Sequence, residues 1–105
     1  MRFYCTDDTV DLEQYPYHVR DVHISDPFIL ADPKSRCYYT YVQFADTERF
    51  PDVETDKEHG VFYVLESKDL IHWSKPQICF RQNNFWADKD YWAPEVHIWK
   101  GRYYL

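Results

Sequence analysis

The chain has 105 residues, the size of one small domain or of part of a larger one. Apolar residues make up 45% of it and aromatic residues 20%, a composition that excludes a disordered chain. Eighteen acidic and twelve basic side chains give a net charge of −6, which disfavours nucleic acid and anionic membrane surfaces as partners and leaves neutral ligands open.

The first half of the chain predicts strands separated by turns. Residues 1–20 are polar and irregular and are expected to form a lead-in segment. Phe28–Leu30 is predicted to be a short, fully buried strand, and the turn residues of Asp32–Arg36 follow it. Cys37–Phe44 is rich in aromatic and β-branched residues and predicts a second strand. Residues 45–59 are predicted to form a long charged loop.

The second half continues in the same way. Further strands are predicted at Val61–Ser67 and Gln77–Phe80, with a turn region, Lys68–Pro76, between them. A loop over residues 81–91 leads to the strand Glu95–Trp99, the Lys100-Gly101 turn and "RYYL". No segment has a sustained apolar period of 3.6 residues, so almost no helix is expected.

A faint repeat relates "DPFILADPKSRCYY" to "APEVHIWKGRYY". Both stretches place Pro and an acid beside a strand start, and both end in a turn followed by Tyr-Tyr. Four strands followed by two of the next set would form one four-stranded propeller blade and the start of another. An ordinary antiparallel meander fits the same pattern, and the periodicity leaves both open.

The cysteines and histidines show no metal-binding spacing. The three cysteines are odd in number and far apart, which predicts reduced and mostly buried thiols rather than disulfides or a zinc site: Cys5, Cys37 and Cys79. The five histidines lack an HExxH or similar arrangement. We therefore assign no metal and no cofactor.

The start of the sequence has no long apolar core, and acidic residues appear by Asp7. No window approaches the roughly 18 apolar residues of a membrane span. The expected location is the cytoplasm, and no membrane partner is expected.

Three stretches in this order resemble the opening of a glycoside hydrolase family 43 domain: "DVHISDPFIL", "VFYVLESKDLIHW" and "FWADKDYWAPEVHIWKGRYYL". The resemblance covers about residues 21–105. It implies an all-β chain, part of a five-bladed β-propeller truncated in its second blade. It also implies an inverting glycosidase that hydrolyses O-glycosyl bonds in arabinose- or xylose-containing plant polysaccharides or oligosaccharides. The sequence ends on "RYYL", which is typical of a strand cut off from its sheet.

Asp26 matches the catalytic base of that family. Such a base is an ionised carboxylate that deprotonates the water attacking the anomeric carbon. Pro27 favours extended backbone at Asp26, which orients the carboxylate. From the residues alone, an Asp-Pro turn is the alternative. The family's general acid and pKa-modulating acid lie in later blades, so the chain by itself is expected to be inactive.

Three further residues are candidate substrate contacts. Glu95 follows Trp92-Ala93-Pro94 at the head of a strand, where sugar-hydroxyl binding or a buried salt bridge is expected rather than proton donation. Trp92 offers a broad apolar face to a sugar ring, and Trp86 is a weaker candidate in the same loop. Packing between blades is the alternative for each tryptophan, and it is the role expected for Trp73 and Trp99.

A second function is compatible with the same residues. A small non-catalytic β-domain could bind glycans through Trp92 and Trp86. In both cases the expected partner is a neutral oligosaccharide or polysaccharide.

Overall fold

The computed structural model describes residues 10–22, 24, 27–43, 60–81 and 93–105. Within these ranges the chain is all-β, and its one helix is a three-residue 3₁₀ turn, Val19–Asp21. Membrane-spanning helices are therefore not found among the described residues. The strands are β1 (Tyr17–His18), β2 (Phe28–Asp32), β3 (Cys37–Val42), β4 (Gly60–Ser67), β5 (His72–Trp73), β6 (Gln77–Arg81), β7 (His97–Trp99) and β8 (Arg102–Tyr104).

The first six strands form one antiparallel sheet. Strands β2, β3 and β4 follow one another as a meander, and the far edge of β4 pairs with both β5 and β6. Strand β1 pairs with β5 on the side that faces away from β4. Strands β7 and β8 form a separate two-stranded sheet. The predicted strands are confirmed to within two residues at each end, and β7 starts two residues later than predicted, at His97.

The apolar core lies on one face of the first sheet, which we call the core face. Its buried members are Tyr38, Val42, Tyr63, Leu65 and Trp73. The alternation of strand side chains places Tyr39 and Glu66 on the opposite face.

The prediction that Phe28–Leu30 is fully buried is wrong. Strand β2 extends to Asp32, and Ile29 is 50% exposed. The reason is its position, because β2 pairs only with β3 in the described sheet and so lies at its edge. An edge strand has a neighbour on one side only, and its side chains remain accessible from the other.

The "SKDLIHW" turn is held together by hydrogen bonds to Asp69 and Ser67. One carboxylate oxygen of Asp69 accepts the backbone N–H groups of Ile71 and His72 at 2.8 Å each, and the other lies 2.8 Å from His72 Nδ1. The fully buried Ser67 hydroxyl accepts the N–H of Leu70 at 2.9 Å. The turn ends with Trp73, which is buried in the core as the sequence analysis expected. The region also contains β5, which the sequence did not predict.

The described part of the lead-in segment, residues 10–20, is more ordered than its composition indicates. Residues 11–22, which we call the strap, contact both faces of the sheet. Tyr15 is 1% exposed and donates a hydrogen bond from its hydroxyl to Glu66 Oε2 at 2.6 Å on the opposite face. Tyr17 and His18 then pair with β5, and Val22 packs against the core. The strap is therefore an integral part of the fold.

The β7–β8 hairpin carries two departures from expectation. Trp99, predicted to pack between blades, is 62% exposed because no described element covers that face of the two-stranded sheet, although the Lys100 ammonium lies 5.4 Å from its ring centre. The turn at Lys100-Gly101 is confirmed, with both residues at positive φ.

The prediction of mostly buried thiols holds for one of the two described cysteines. Cys37 is buried and free, whereas Cys79 is free but exposed, since it lies on β6 at the edge of the sheet. Cys5 lies outside the described residues.

Candidate functional site

Three of the four predicted site residues, Asp26, Trp86 and Trp92, lie outside the described residues. Their roles remain predictions. The fourth, Glu95, is described, and so are the residues that immediately follow Asp26 in the sequence. The described surroundings of the site are therefore the start of β2 and the start of β7.

Glu95 is presented to solvent by its two buried neighbours. Pro94 and Val96 are both buried, and Val96 is only 3% exposed, so the alternation of the extended chain turns Glu95 outwards. Its Oε2 lies 3.1 Å from Nε2 of His97, and both side chains are 67% exposed. The buried salt bridge considered for Glu95 is thus not found. An exposed carboxylate of this kind can accept hydrogen bonds from sugar hydroxyl groups.

The starts of β2 and β7 lie side by side. The rings of Phe28 and His97, the first residues of the two strands, have their centres 5.8 Å apart at a tilt of 52°. We call this place the strand-head corner. Asp26 precedes Phe28 by two residues in the sequence, and Glu95 precedes His97 by two. The repeat noted in the sequence therefore corresponds to two strands that begin next to each other.

The far end of β2 carries a buried carboxylate that sequence reasoning did not single out. Asp32 is 4% exposed and accepts hydrogen bonds from the backbone N–H groups of Lys34 and Ser35 at 3.2 and 3.3 Å. The Ser35 hydroxyl donates to it at 2.7 Å, and the Tyr103 hydroxyl of β8 lies 3.0 Å from both of its oxygens. The Asp-Pro turn in the sequence predicts the local contacts with Lys34 and Ser35. It does not predict the contact with Tyr103, which lies 71 positions later.

These hydrogen bonds determine the charge state of Asp32. Burial by itself raises the pKa of its carboxyl group, but the hydrogen bonds from Ser35, Lys34 and Tyr103 outweigh burial and hold the pKa below the ordinary value of 3.8. The same contact raises the pKa of the Tyr103 hydroxyl, because its proton is held by a carboxylate. Asp32 is therefore ionised at neutral pH and acts as a structural acceptor.

A cavity of about 400 Å³ lies elsewhere, between the strap and the opposite face of the sheet. Glu13, Tyr39, Val64 and Glu66 are among the residues that line it. Glu95, the one predicted site residue that the structure describes, does not line it, and Glu66 is already bound to Tyr15. Within the described ranges, no group of three or more His, Cys, Asp or Glu side chains is arranged to hold a metal ion.

Comparison with known proteins gives one informative likeness. A scan against protein-family profiles matches none of them, and a search of the curated proteins finds no relative. Among solved structures, the chain is similar to an endo-arabinase from Bacteroides thetaiotaomicron, with 28% sequence identity and a TM-score of 0.59. The likeness covers 85% of this chain and 27% of the endo-arabinase chain. The chain thus spans about a quarter of the length of that protein.

Proposed function

We propose that this chain is the first part of an inverting glycosidase that hydrolyses O-glycosyl bonds in arabinose- or xylose-containing polysaccharides or oligosaccharides. The observation that carries this proposal is the likeness to an endo-arabinase over 85% of the chain at 28% identity. It agrees with the resemblance to glycoside hydrolase family 43, which rests on sequence motifs. In this proposal β2, β3, β4 and β6 are the first blade of a propeller, and β7 and β8 begin the second.

Asp26 is the general base of the proposed reaction. Its carboxylate takes a proton from a water molecule, which attacks the anomeric carbon while a general acid protonates the leaving oxygen. An inverting enzyme separates the two carboxyl groups by roughly 6.5–9.5 Å so that the water fits between base and sugar. The exposed strand-head corner, which begins two residues after Asp26, supports a role for this position at an open surface.

The remaining candidates bind the substrate. Glu95 accepts hydrogen bonds from sugar hydroxyl groups. Its side chain is 67% exposed, so the part of the carboxylate that faces away from His97 is accessible to a ligand. Trp92, and more weakly Trp86, provide flat apolar surfaces for the C–H face of a sugar ring.

The proposal assigns the proton donor to sequence beyond this chain. The chain spans 27% of the endo-arabinase, which agrees with an incomplete set of catalytic acids. We therefore expect the purified 105-residue chain not to hydrolyse nitrophenyl arabinosides or xylosides. Turnover of either substrate, abolished in Asp26→Ala, would contradict this expectation.

A chimera tests catalysis directly. The whole 105-residue chain would replace the matching part of the Bacteroides thetaiotaomicron endo-arabinase, and the release of reducing ends from arabinan would be measured. We expect an active chimera and a loss of at least about 100-fold in kcat for Asp26→Asn, since general base catalysis contributes 10²–10⁴-fold. Asp21→Asn, at an exposed aspartate five positions earlier, is the matched control and should retain activity. A folded chimera in which both variants are equally active would refute the role of Asp26.

Binding is tested on the chain itself. Titration with arabino-oligosaccharides, followed by NMR, should perturb Glu95 and the Trp92 indole. Glu95→Gln and Trp92→Ala should weaken the binding. Glycan binding together with an inactive, folded chimera would favour a non-catalytic binding domain instead.

A further inference from the structure

We propose that Tyr103 and Asp32 form a positioning clamp, which fixes the β7–β8 hairpin against β2 and so sets where the segment of Glu95 and His97 lies relative to the start of β2. The proposal rests on the proposed function, because Glu95 is a proposed substrate contact and the start of β2 follows Asp26, the proposed base, in the sequence. The geometry of the clamp itself is independent of that function.

The acceptor of the clamp is held in place by its own turn. Asp32 is buried at the end of β2, and three hydrogen bonds from Lys34 and Ser35 fix its carboxylate. The backbone supports this turn, since the Arg36 N–H donates to the Asp32 carbonyl at 2.9 Å. Both carboxylate oxygens then lie 3.0 Å from the Tyr103 hydroxyl. Because the acceptor is preorganised, the hydrogen bond specifies one position for Tyr103.

The clamp acts at the opposite end of β2 from the strand-head corner. Phe28 contacts His97 at the start of the strand, and Asp32 contacts Tyr103 at its end. The two contacts are four residue steps apart along an extended chain, which is about 13 Å. A hairpin attached at one point can rotate about it, whereas two points along one strand fix its direction.

The rest of the hairpin gives little restraint. Val96 is buried where the chain enters β7, but Ile98, Trp99 and Tyr104 are 38%, 62% and 49% exposed. A two-stranded sheet is marginally stable by itself. Rotation of the hairpin about its entry at Val96 is therefore the motion that the Tyr103–Asp32 contact opposes. Such a rotation would carry His97, whose ring contacts the Glu95 carboxylate, away from the start of β2.

Neighbouring tyrosines provide a matched pair of variants. Tyr103 and Tyr104 are 48% and 49% exposed, and both lie on β8. Among the described residues, the structure gives a hydrogen bond to the hydroxyl of Tyr103 and none to that of Tyr104. Tyr103→Phe removes the clamp and keeps the ring, and Tyr104→Phe removes an equally exposed hydroxyl that binds nothing described.

The first readout is the corner itself, measured without ligand on the whole 105-residue chain. The NOE between the Phe28 and His97 rings and the chemical shifts of the His97 ring report whether the two strands still start side by side. A hydrogen bond to a carboxylate is worth about tenfold or more in an equilibrium. We expect Tyr103→Phe to weaken the NOE and move the His97 shifts. Tyr104 pairs directly with His97, so Tyr104→Phe can move the His97 shifts by itself but should leave the NOE unchanged. The Tyr38 and Leu65 signals of the core should not move in either variant.

The second readout is the affinity for an arabino-oligosaccharide. If the clamp aligns the binding segments, Tyr103→Phe raises the apparent Kd several-fold, because only the docked fraction of molecules binds. An unchanged Phe28–His97 NOE in Tyr103→Phe would overturn the clamp, and so would a variant that fails to fold. If Tyr103→Phe loses the NOE and the wild-type chain binds no sugar, the result supports the clamp and counts against the proposed function. A lost NOE with unchanged sugar affinity would overturn the link between the clamp and Glu95.

Discussion

Replacing Tyr15 with Phe should destabilise the chain through one lost hydrogen bond. The Tyr15 hydroxyl lies 2.6 Å from Glu66 Oε2, within the 2.5–2.7 Å typical of a hydroxyl bound to an ionised carboxylate. Tyr15 is 1% exposed, so water cannot easily replace the lost partner. Burial and the bond to Glu66 together raise the pKa of the Tyr15 hydroxyl, which keeps it protonated as the donor.

The expected magnitude follows from the type of bond. Hydrogen bonds to charged groups contribute about 1.5–3 kcal/mol, and Phe keeps the ring and its packing. We therefore expect the free energy of unfolding to fall by about 2 kcal/mol. For a domain of this size that corresponds to a fall in Tm of roughly 10 °C. Urea unfolding followed by circular dichroism and by tryptophan fluorescence measures the change.

The controls separate the hydrogen bond from other effects of the substitution. Tyr104→Phe removes an exposed hydroxyl and should change the free energy of unfolding by less than about 0.5 kcal/mol. In a double-mutant cycle, Glu66→Gln should remove most of the effect of Tyr15→Phe. If Tyr15→Phe unfolds at the same urea concentration as the wild type, the strap does not stabilise the fold in the way described.

Three further changes test single features of the sheet. Asp69→Asn should lower the free energy of unfolding at neutral pH: burial raises the pKa of Asp69, but hydrogen bonds from His72 and its turn outweigh it and hold the pKa below 3.8. Since the native pKa is depressed, this contribution is complete above the ordinary pKa and is lost as pH falls through the folded value, so the difference between wild type and variant should shrink as the pH falls below 3.8. Arg36 is exposed and has a backbone φ of 58°, a conformation that favours glycine. Arg36→Gly should therefore raise the free energy of unfolding by about 0.5–1 kcal/mol, whereas Lys34→Gly in the same turn should give no gain. Thr40 is 2% exposed, and its hydroxyl has no described hydrogen-bond partner. Thr40→Val should therefore leave the free energy of unfolding unchanged or raise it by about 1 kcal/mol. A fall of about 1 kcal/mol, measured by thermal unfolding, would show that the hydroxyl is hydrogen-bonded.

The strands that sequence reasoning predicted well are those whose residues carry the signal locally. "CYYTYV" and "VFYVLES" are rich in aromatic and β-branched residues, and both became strands. The turn at Asp32–Arg36 was equally local. The Asp32 side chain accepts the N–H groups of Lys34 and Ser35, and Pro fixes its own backbone φ. The "SKDLIHW" turn belongs to the same group, because Ser67 and Asp69 bind the N–H groups of the residues that follow them.

The features that sequence reasoning missed depend on distant partners. The strap appeared irregular because Tyr15 is held by Glu66, which lies 51 positions later. Strand β5 has only two residues, too few to show a period. The exposure of Ile29 follows from the order of the strands, which composition does not encode. Of the candidate site, Asp26, Trp86 and Trp92 remain predictions from the motifs, and the structure adds Glu95 and the strand-head corner.

The course of the strap has a consequence for the order of events during synthesis. Ribosomes make the chain from its amino end, so Tyr15 emerges long before Glu66 or Trp73 exists. Contacts between residues far apart in sequence form slowly, because a long loop must close first. We expect the strap, although it is made before the sheet, to be among the last segments to dock. A translational pause between residues 24 and 66 would prolong the time during which Tyr15 and Val22 remain accessible to chaperones and proteases.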